Sequence, residues 1–338
     1  MVLRDHARER QALREREGRA RPRPAGDLRR LPAEGRRRLS DQVVRAEGLT
    51  KVYRGGVRGV DGLAFSVRGG EVFGFLGPNG AGKTTTIRLL LDLIRPTSGT
   101  LSVFGLDSRR DSLAIRRRVG YVPGDLRLYD RLTGRELLTF FANLRGLEGL
   151  GDAASLAERL DLELDRPLRS LSTGNRQKTG LVQAFMHRPE LLVLDEPTTG
   201  LDPLVQQTFH ELVRETAADG RTVFLSSHAL AEVQELADRV AVLRGGRVEL
   251  VESVEALRAR ASRRLEATFA APPPPGAFAD VSGAHELERR GDVVAFALDG
   301  SVDPLVKALA RFDVVALDVR EADLEDIFLD LYRRADAA

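Results

Sequence analysis

A glycine-rich segment carries the clearest chemical signal in the sequence. The pattern G-x-x-x-x-G-K-[ST] is matched by Gly77, Pro78, Asn79, Gly80, Ala81, Gly82, Lys83 and Thr84. The segment follows the apolar run Glu71–Leu76 and precedes Thr86–Leu93, which has helical periodicity. Backbone N–H groups of such a loop, together with a helix N-terminus, attract phosphate oxygens. We therefore predict a nucleotide-phosphate site, with Lys83 at the β- and γ-phosphates, the Thr84 hydroxyl on Mg²⁺, and Thr85 among the contacts.

Two adjacent carboxylates supply the second chemical signal. Asp195 and Glu196 follow the continuous apolar run Leu191–Leu194. Ligands of α/β sheets bind at the carboxyl ends of the strands, where both side chains would lie. On its own such a pair could simply cap a helix. Because the phosphate loop is also present, we predict that Asp195 helps to hold Mg²⁺ and that Glu196 orients or deprotonates the attacking water.

Composition excludes several classes of function. The 338 residues include no cysteine, which rules out thiolate catalysis and cysteine-ligated metals. No apolar run reaches the length of a transmembrane helix. The net charge is +2, yet residues 1–40 alone hold 13 arginines against 6 acidic residues, so the rest of the chain is mildly acidic. The basic excess therefore belongs to one arm, and we expect no nucleic-acid partner.

Changes in composition divide the chain into three predicted parts. Residues 1–40 read as a disordered arm, because they offer little that could form a buried face. Residues 41–257 contain the motifs above, with a helical subdomain predicted over about 127–187. Residues 258–338 contain the spacer Pro272–Pro275, around which strand-like and helix-like segments follow one another, and end in a predicted helix from Leu324 to Tyr332. We expect this last part to be a small α+β domain.

From about Val43 to Val251 the chain resembles the ATP-binding subunits of ATP-binding cassette (ABC) transporters. Leu171–Asn175 stands where the family has Leu-Ser-Gly-Gly-Gln and departs from it at two of five positions. The resemblance implies an α/β fold: a P-loop NTPase (RecA-like) core with an antiparallel β subdomain and a helical signature subdomain. It also implies a head-to-tail homodimer, in which Ser172 and Gly174 bind the γ-phosphate of ATP held by the opposite subunit.

Three further residues match the family in its order along the chain. Asp202 lies in a segment that resembles the D-loop, and His228 resembles the switch histidine that holds the γ-phosphate. Tyr53 is similar to the aromatic residue that stacks on adenine, although packing against the first sheet is an alternative role. The resemblance thus implies ATP and Mg²⁺ as ligands.

One departure from the family concerns the Q-loop. Gly124 and Asp125 follow Val119–Pro123, where the family has a glutamine, and Gly124 has no side chain to reach Mg²⁺ or the attacking water. We hypothesise that Asp125 substitutes for that glutamine. It would act either through a water molecule on Mg²⁺ or as the contact that senses the membrane partner. A simple Pro-Gly turn explains the same residues equally well.

One C-terminal segment and one central segment are similar to a subgroup of the family. Asp323–Leu331 and Tyr129–Leu138 resemble ATPases of the daunorubicin-resistance type, which export drugs. The expected function is therefore ATP hydrolysis that powers export through separate permease subunits at the cytoplasmic face of the plasma membrane. The alternative is a soluble cassette ATPase that acts on nucleic acid or ribosomes, for which the arginine-rich arm is the one positive observation.

Overall fold

The computed structural model describes residues 42–260, 263–298 and 300–320. The predicted arm of residues 1–40 and the predicted helix from Leu324 to Tyr332 lie outside these residues. In chain order the described strands are β1 (Gln42–Val52), β2 (Arg58–Arg68), β3 (Val72–Leu76), β4 (Ser98–Val103), β5 (Leu106–Asp107), β6 (Val119–Val122), β7 (Leu191–Asp195), β8 (Thr222–Ser227), β9 (Arg239–Arg244), β10 (Arg247–Ser253), β11 (Arg263–Phe269), β12 (Ala284–Arg290), β13 (Val293–Leu298) and β14 (Val314–Arg320).

The described helices follow the strands as connections. They are α1 (Lys83–Leu90), α2 (Ser112–Arg117), α3 (Gly134–Arg145), α4 (Ala153–Arg159), α5 (Thr173–Phe185), α6 (Pro203–Ala218), α7 (Leu230–Leu236), α8 (Val254–Arg260) and α9 (Asp303–Leu309). Among them, none combines the length and the apolar character that a bilayer-spanning segment needs.

A six-stranded sheet forms the centre of the fold, in the order β10-β9-β3-β8-β7-β6. Its pairs are parallel except β10 with β9, which is antiparallel. Strands β3, β7 and β8 are buried along their whole length, as continuous apolar runs predict for a parallel sheet covered on both faces. Because these three strands are neighbours, their carboxyl ends at Leu76, Asp195 and Ser227 meet at one edge.

A second, antiparallel sheet in the order β2-β1-β4-β5 packs on the first. Four phenylalanines join the two sheets. Phe65 of β2 lies 5.3–6.1 Å, between ring centroids, from Phe73 and Phe75 of β3 and from Phe224 of β8. Aromatic rings at such separations bury large apolar areas and hold a fixed relative orientation. This cluster therefore sets the position of β3 and β8, whose ends carry the predicted site.

Helices α3, α4 and α5 form a helical region between β6 and β7. Helix α3 begins with a capping box, in which Thr133 and Glu136 each accept a hydrogen bond from the other's backbone N–H. Buried leucines and alanines of the region continue the apolar core of the central sheet; they include Leu138, Ala142, Leu156, Leu160 and Leu181. The helical region is thus packed on the sheet that it interrupts.

Residues after β10 build a separate four-stranded sheet in the order β12-β13-β11-β14. All its pairs are antiparallel, and α9 packs on it through Leu305 and Leu309. This sheet has its own apolar core, which includes Phe269, Phe278 and Phe296. An α+β arrangement is what the sequence predicts for this part of the chain.

We expect Phe224→Ala to be strongly destabilising, because the ring is fully buried between the two sheets. Loss of such a side chain should lower the free energy of unfolding by about 3–5 kcal/mol. Urea unfolding followed by circular dichroism measures it. Leu113→Ala is the matched control, since Leu113 is exposed on α2 and should change the same free energy by less than about 0.5 kcal/mol. Equal effects of the two changes would contradict this packing.

Candidate active site

The phosphate loop lies between the end of β3 and the start of α1, and two of its glycines are required by close backbone packing. A Cβ on Gly77 would lie 2.6 Å from the Leu243 carbonyl oxygen. Gly82 has a φ of 108°, and its Cβ would lie 2.7 Å from the Gly59 carbonyl oxygen. Gly82 is also the N-cap of α1 and offers no side-chain cap, which leaves the first amides of the helix for a ligand. The loop therefore has the geometry of an anion site.

Lys83, Glu196 and His228 meet at the end of the central sheet. The buried Lys83 Nζ donates to the carbonyl oxygens of Gly77, at 2.7 Å, and Pro78, at 3.2 Å. It also lies 3.2 Å from Glu196 Oε1, while Glu196 Oε2 lies 3.1 Å from His228 Nδ1. Three residues that are far apart in the sequence thus form one continuous chain of polar contacts.

Glu196 holds this position through an unusual backbone conformation. Its φ is 49°, in the left-handed region that a non-glycine residue adopts at a cost of about 1 kcal/mol or more. The Glu196 N–H donates to the Ser226 carbonyl oxygen at 3.1 Å, which continues the pairing of β7 with β8 by one residue. The strained backbone turns the Glu196 side chain toward Lys83 and His228.

Asp195 is fully buried beside Glu196. Its Oδ1 accepts a hydrogen bond of 2.5 Å from the Ser226 hydroxyl. Its Oδ2 has no hydrogen-bond partner among the residues that the structure describes. The charge of Asp195 also acts on its neighbour, since burial and then this carboxylate raise the pKa of Tyr121 to about 12. Asp195 is therefore a buried carboxyl group with one oxygen that has no described hydrogen-bond partner.

The residues present fit Mg²⁺, which prefers a few carboxylate ligands together with water and substrate phosphates. A buried carboxylate oxygen without a partner costs free energy, and a hydrated cation would relieve that cost at Asp195. Thr84, partly exposed in the first turn of α1, supplies a hydroxyl on the phosphate-loop side. The described part of the chain has no group of three or more side chains that could hold a metal ion by themselves. Mg²⁺ bound at Asp195 would take its remaining ligands from water and phosphate oxygens.

Gly124 and Asp125 are placed differently with respect to Asp195. A Cβ on Gly124 would lie 3.3 Å from Asp195 Oδ2, so the Gly124 backbone packs directly beside that oxygen. The Asp125 carboxylate is exposed and forms an ion pair of 2.9 Å with Arg127. The structure thus brings Gly124 to Asp195, while the described contacts of the Asp125 side chain are with Arg127.

Tyr53 lies beside the phosphate-loop helix. Its hydroxyl is 3.3 Å from Thr85 Oγ1, and an ideal Cβ on Gly59 of β2 would lie 2.6 Å from its ring. The side chain is 37% exposed, and Lys51 Nζ lies 5.4 Å from the ring centroid. Tyr53 therefore packs on the antiparallel sheet that contains β2 and still presents part of its ring to solvent, so both of its expected roles are compatible with its position.

Ser172 and Gly174 lie at the exposed start of α5. The Ser172 hydroxyl caps the helix by accepting from the Asn175 N–H at 3.2 Å. A Cβ on Gly174 would lie 2.8 Å from the Gly200 carbonyl oxygen. Asp202, expected in the D-loop, caps α6 by accepting from the Val205 N–H at 3.0 Å. The described contacts of these residues are therefore with their own surroundings rather than with the phosphate loop of the same chain.

Several polar residues around the site were not predicted from the sequence. Ser226 binds Asp195, Gln177 Nε2 donates to the Pro197 carbonyl oxygen at 2.8 Å, and Ser227 donates to the buried Glu232. Ser226 and Ser227 could have been found from the sequence, because they end β8 at the carboxyl edge of the sheet. The sequence does not mark Gln177 and Glu232 as site residues, since polar residues on amphipathic helices are usually exposed.

A family model described as ABC transporter matches residues 60–199. The chain is 33% identical over 309 residues to the linearmycin resistance ATP-binding protein LnrL of Bacillus subtilis, with 86% of this chain and 99% of that protein covered. It is 35% identical to the daunorubicin resistance ATP-binding protein DrrA3 of Streptomyces coeruleorubidus, covering 87% and 96%. The bacitracin transport ATP-binding protein BcrA of Bacillus licheniformis is 37% identical, covering 66% and 74%.

Solved structures give the same assignment for the fold. An ATP-binding subunit of an ABC transporter superposes with a TM-score of 0.60 at 31% identity, covering 64% of this chain and 92% of the other. A dimeric bacterial ABC transporter cassette gives a TM-score of 0.58 at 23% identity and supports the fold alone. The α/β P-loop fold implied by the sequence is confirmed, and the named relatives are transport and resistance proteins. The chain belongs to the ATP-binding proteins of ABC transporters and is an ATPase subunit of that family.

Proposed function

We propose that this protein hydrolyses MgATP to power the export of drug-like or hydrophobic compounds through separate permease subunits. The observation that carries the proposal is the meeting of Lys83, Glu196 and His228 beside the phosphate loop. The compound class is supported by the relatives, whose names refer to linearmycin, daunorubicin and bacitracin. Cargo would be bound by the permease, so this chain would supply the energy of transport.

Binding of ATP would rearrange the charges around Lys83. In the structure, Glu196 Oε1 lies 3.2 Å from the largely buried Lys83 ammonium group. The β- and γ-phosphates would replace that carboxylate, helped by the amides of the loop. Glu196, released from Lys83, would accept a proton from the attacking water, and His228 would donate a hydrogen bond to the γ-phosphate.

Thr84 and Asp195 would hold Mg²⁺ together with the phosphates of ATP. When bound, the ion neutralises phosphate charge and helps to orient the leaving group. Asp195 is suited to this role because Ser226 fixes one of its oxygens and leaves the other available. Tyr53, partly exposed beside Thr85, would stack on the adenine ring.

Each complete site would need two copies of the chain. Ser172 is exposed at the N-terminus of α5, where a hydroxyl and helix amides can meet a phosphate from outside the chain. In a head-to-tail homodimer, Ser172 and Gly174 of one copy would bind the γ-phosphate held by the other. Asp202 would lie at the same interface, as the cap of α6.

The membrane partner would bind the helical region. Exposed aromatic and apolar side chains are grouped there: Tyr129 packs edge-on against Phe140, Phe140 against Phe141, and Leu144 is 71% exposed on the same helix. Exposed apolar groups of this kind mark interaction sites. Binding of a permease through α3 would place the protein at the cytoplasmic face of the plasma membrane.

Glu196→Gln should abolish turnover and retain ATP binding. Removal of a positioned general base usually slows the reaction by about 100-fold or more, while loss of the Lys83–Glu196 ion pair leaves Lys83 free for phosphate. The variant should therefore accumulate as an ATP-bound dimer. Phosphate release and light scattering measure the two effects. A variant that stays monomeric with ATP, or one that hydrolyses ATP at the unchanged rate, would contradict the assigned roles.

Asp125→Ala separates the two roles that the sequence left open for Asp125. The exposed ion pair with Arg127 favours contact with the membrane partner over contact with Mg²⁺. The isolated variant should hydrolyse ATP at the unchanged rate, whereas stimulation of the ATPase by the permease should fall. Loss of ATP hydrolysis in the isolated subunit would instead favour a role at the metal. Unchanged hydrolysis and unchanged transport would leave Asp125 with no part in either.

The proposal as a whole is tested by affinity purification of the tagged protein from membranes of its own host. An integral permease should co-purify in comparable amount, and its presence should stimulate ATP hydrolysis. Co-purification of ribosomes or nucleic acid in place of a membrane protein would contradict the export function.

A further inference from the structure

A buried glutamate close to the active site has no part in the mechanism derived above. This residue, Glu232, is on α7, four residues after His228 in the sequence, and is 9% exposed. Burial raises the pKa of its carboxyl group, against the opposing effects of Ser227, Thr198, His210 and His228. A buried ionisable group is costly to keep, so its contacts call for a physical explanation.

The first contact joins Glu232 to the loop that carries His228. The Ser227 hydroxyl donates to Glu232 Oε2 at 2.5 Å, and the Ala229 N–H donates to the same hydroxyl at 3.0 Å. Ser227 and Ala229 flank His228 on both sides. The Ser227 carbonyl oxygen in turn accepts from the Gly77 N–H of the phosphate loop at 3.3 Å. The carboxyl group of Glu232 therefore helps to fix the backbone segment from Ser227 to Ala229, which carries His228.

The second contact is made by the loop itself, because His228 Nδ1 lies 3.1 Å from Glu196 Oε2. The other oxygen of the Glu232 carboxyl group, Oε1, is buried and has no hydrogen-bond partner among the described residues. The hydrogen bond between Ser227 and Glu232 therefore acts on the His228 side of the contact between Glu196 and His228.

We propose that Glu232 is a positioning residue that holds the His228 loop, through Ser227, in contact with Glu196. Its predicted effect on turnover rests on the proposed ATP hydrolysis, whereas its effect on geometry does not. In the proposed function ATP contacts the phosphate loop and Tyr53, so a defect at Glu232 should act on the chemical step more than on ATP binding. Small displacements of catalytic groups are sufficient for large losses of rate.

Glu232→Leu removes the hydrogen-bonding group at similar volume. We expect kcat for ATP to fall about 10- to 100-fold with KM for ATP nearly unchanged. Glu232→Gln should restore most of kcat, because its amide oxygen can accept a hydrogen bond from the Ser227 hydroxyl as the carboxylate does. Glu235→Gln is the matched control, since Glu235 is half-exposed on the same helix and pairs with His210 and Arg214. This control should turn over at the unchanged rate.

Two further measurements test the proposal even if Glu232→Leu does not fold or if the protein does not hydrolyse ATP. Ser227→Ala removes the partner hydroxyl and should lower kcat in the same way, so it serves as the test if Glu232→Leu does not fold. A crystal structure of nucleotide-free Glu232→Leu should show Glu196 and His228 separated beyond their 3.1 Å contact. That distance decides the proposal even if the unchanged protein proves unable to hydrolyse ATP, a result that would overturn the proposed function alone.

The proposal would be overturned by an unchanged Glu196–His228 contact together with unchanged kcat in Glu232→Leu. It would also be overturned if Glu232→Gln were as inactive as Glu232→Leu, or if KM rose while kcat stayed constant.

Discussion

The ion pair between Lys83 and Glu196 is the interaction on which the rest of the site depends. It joins the end of β3, through the phosphate loop, to the end of β7, and it neutralises an ammonium group that is only 5% exposed. Burial of an unpaired charge would be more costly than this pair, which favours an anion beside Lys83. Glu196 supplies that anion in the structure, and we propose that ATP phosphates replace it. The proposed general base would thereby lie close to its substrate.

The remaining structure maintains the relative position of the strand ends. The phenylalanine cluster of Phe65, Phe73, Phe75 and Phe224 fixes β3 and β8 against the antiparallel sheet, and parallel pairing fixes β7 between β8 and β6. Side chains then refine the positions that the sheet provides. Ser226 orients Asp195, Gln177 links α5 to the segment after Glu196, and Glu232 accepts a hydrogen bond from Ser227, which precedes His228. The central sheet and a few buried polar contacts thus place groups from the ends of β3, β7 and β8 at one point.

Much of this arrangement could be predicted from the sequence. The phosphate loop and the carboxylate pair have sharp local patterns, because backbone phosphate binding needs glycine and a strand end needs an apolar run before it. Asp125 was different, since a one-dimensional pattern does not show which way a loop side chain points; its carboxylate pairs with Arg127, and the Gly124 backbone contacts Asp195. Gln177 and Glu232 could not be found, because their burial results from packing between elements distant in sequence. The Ser172, Gly174 and Asp202 contacts expected with a second copy are a property of two chains rather than one.

The most direct test of this account is a crystal structure with Mg²⁺ and a non-hydrolysable ATP analogue. It should show Lys83 Nζ on the β- and γ-phosphates, Glu196 separated from Lys83, and Asp195 Oδ2 facing the hydrated metal ion. A structure in which Lys83 keeps its 3.2 Å contact with Glu196 while nucleotide binds elsewhere would contradict the central claim that phosphate replaces this carboxylate.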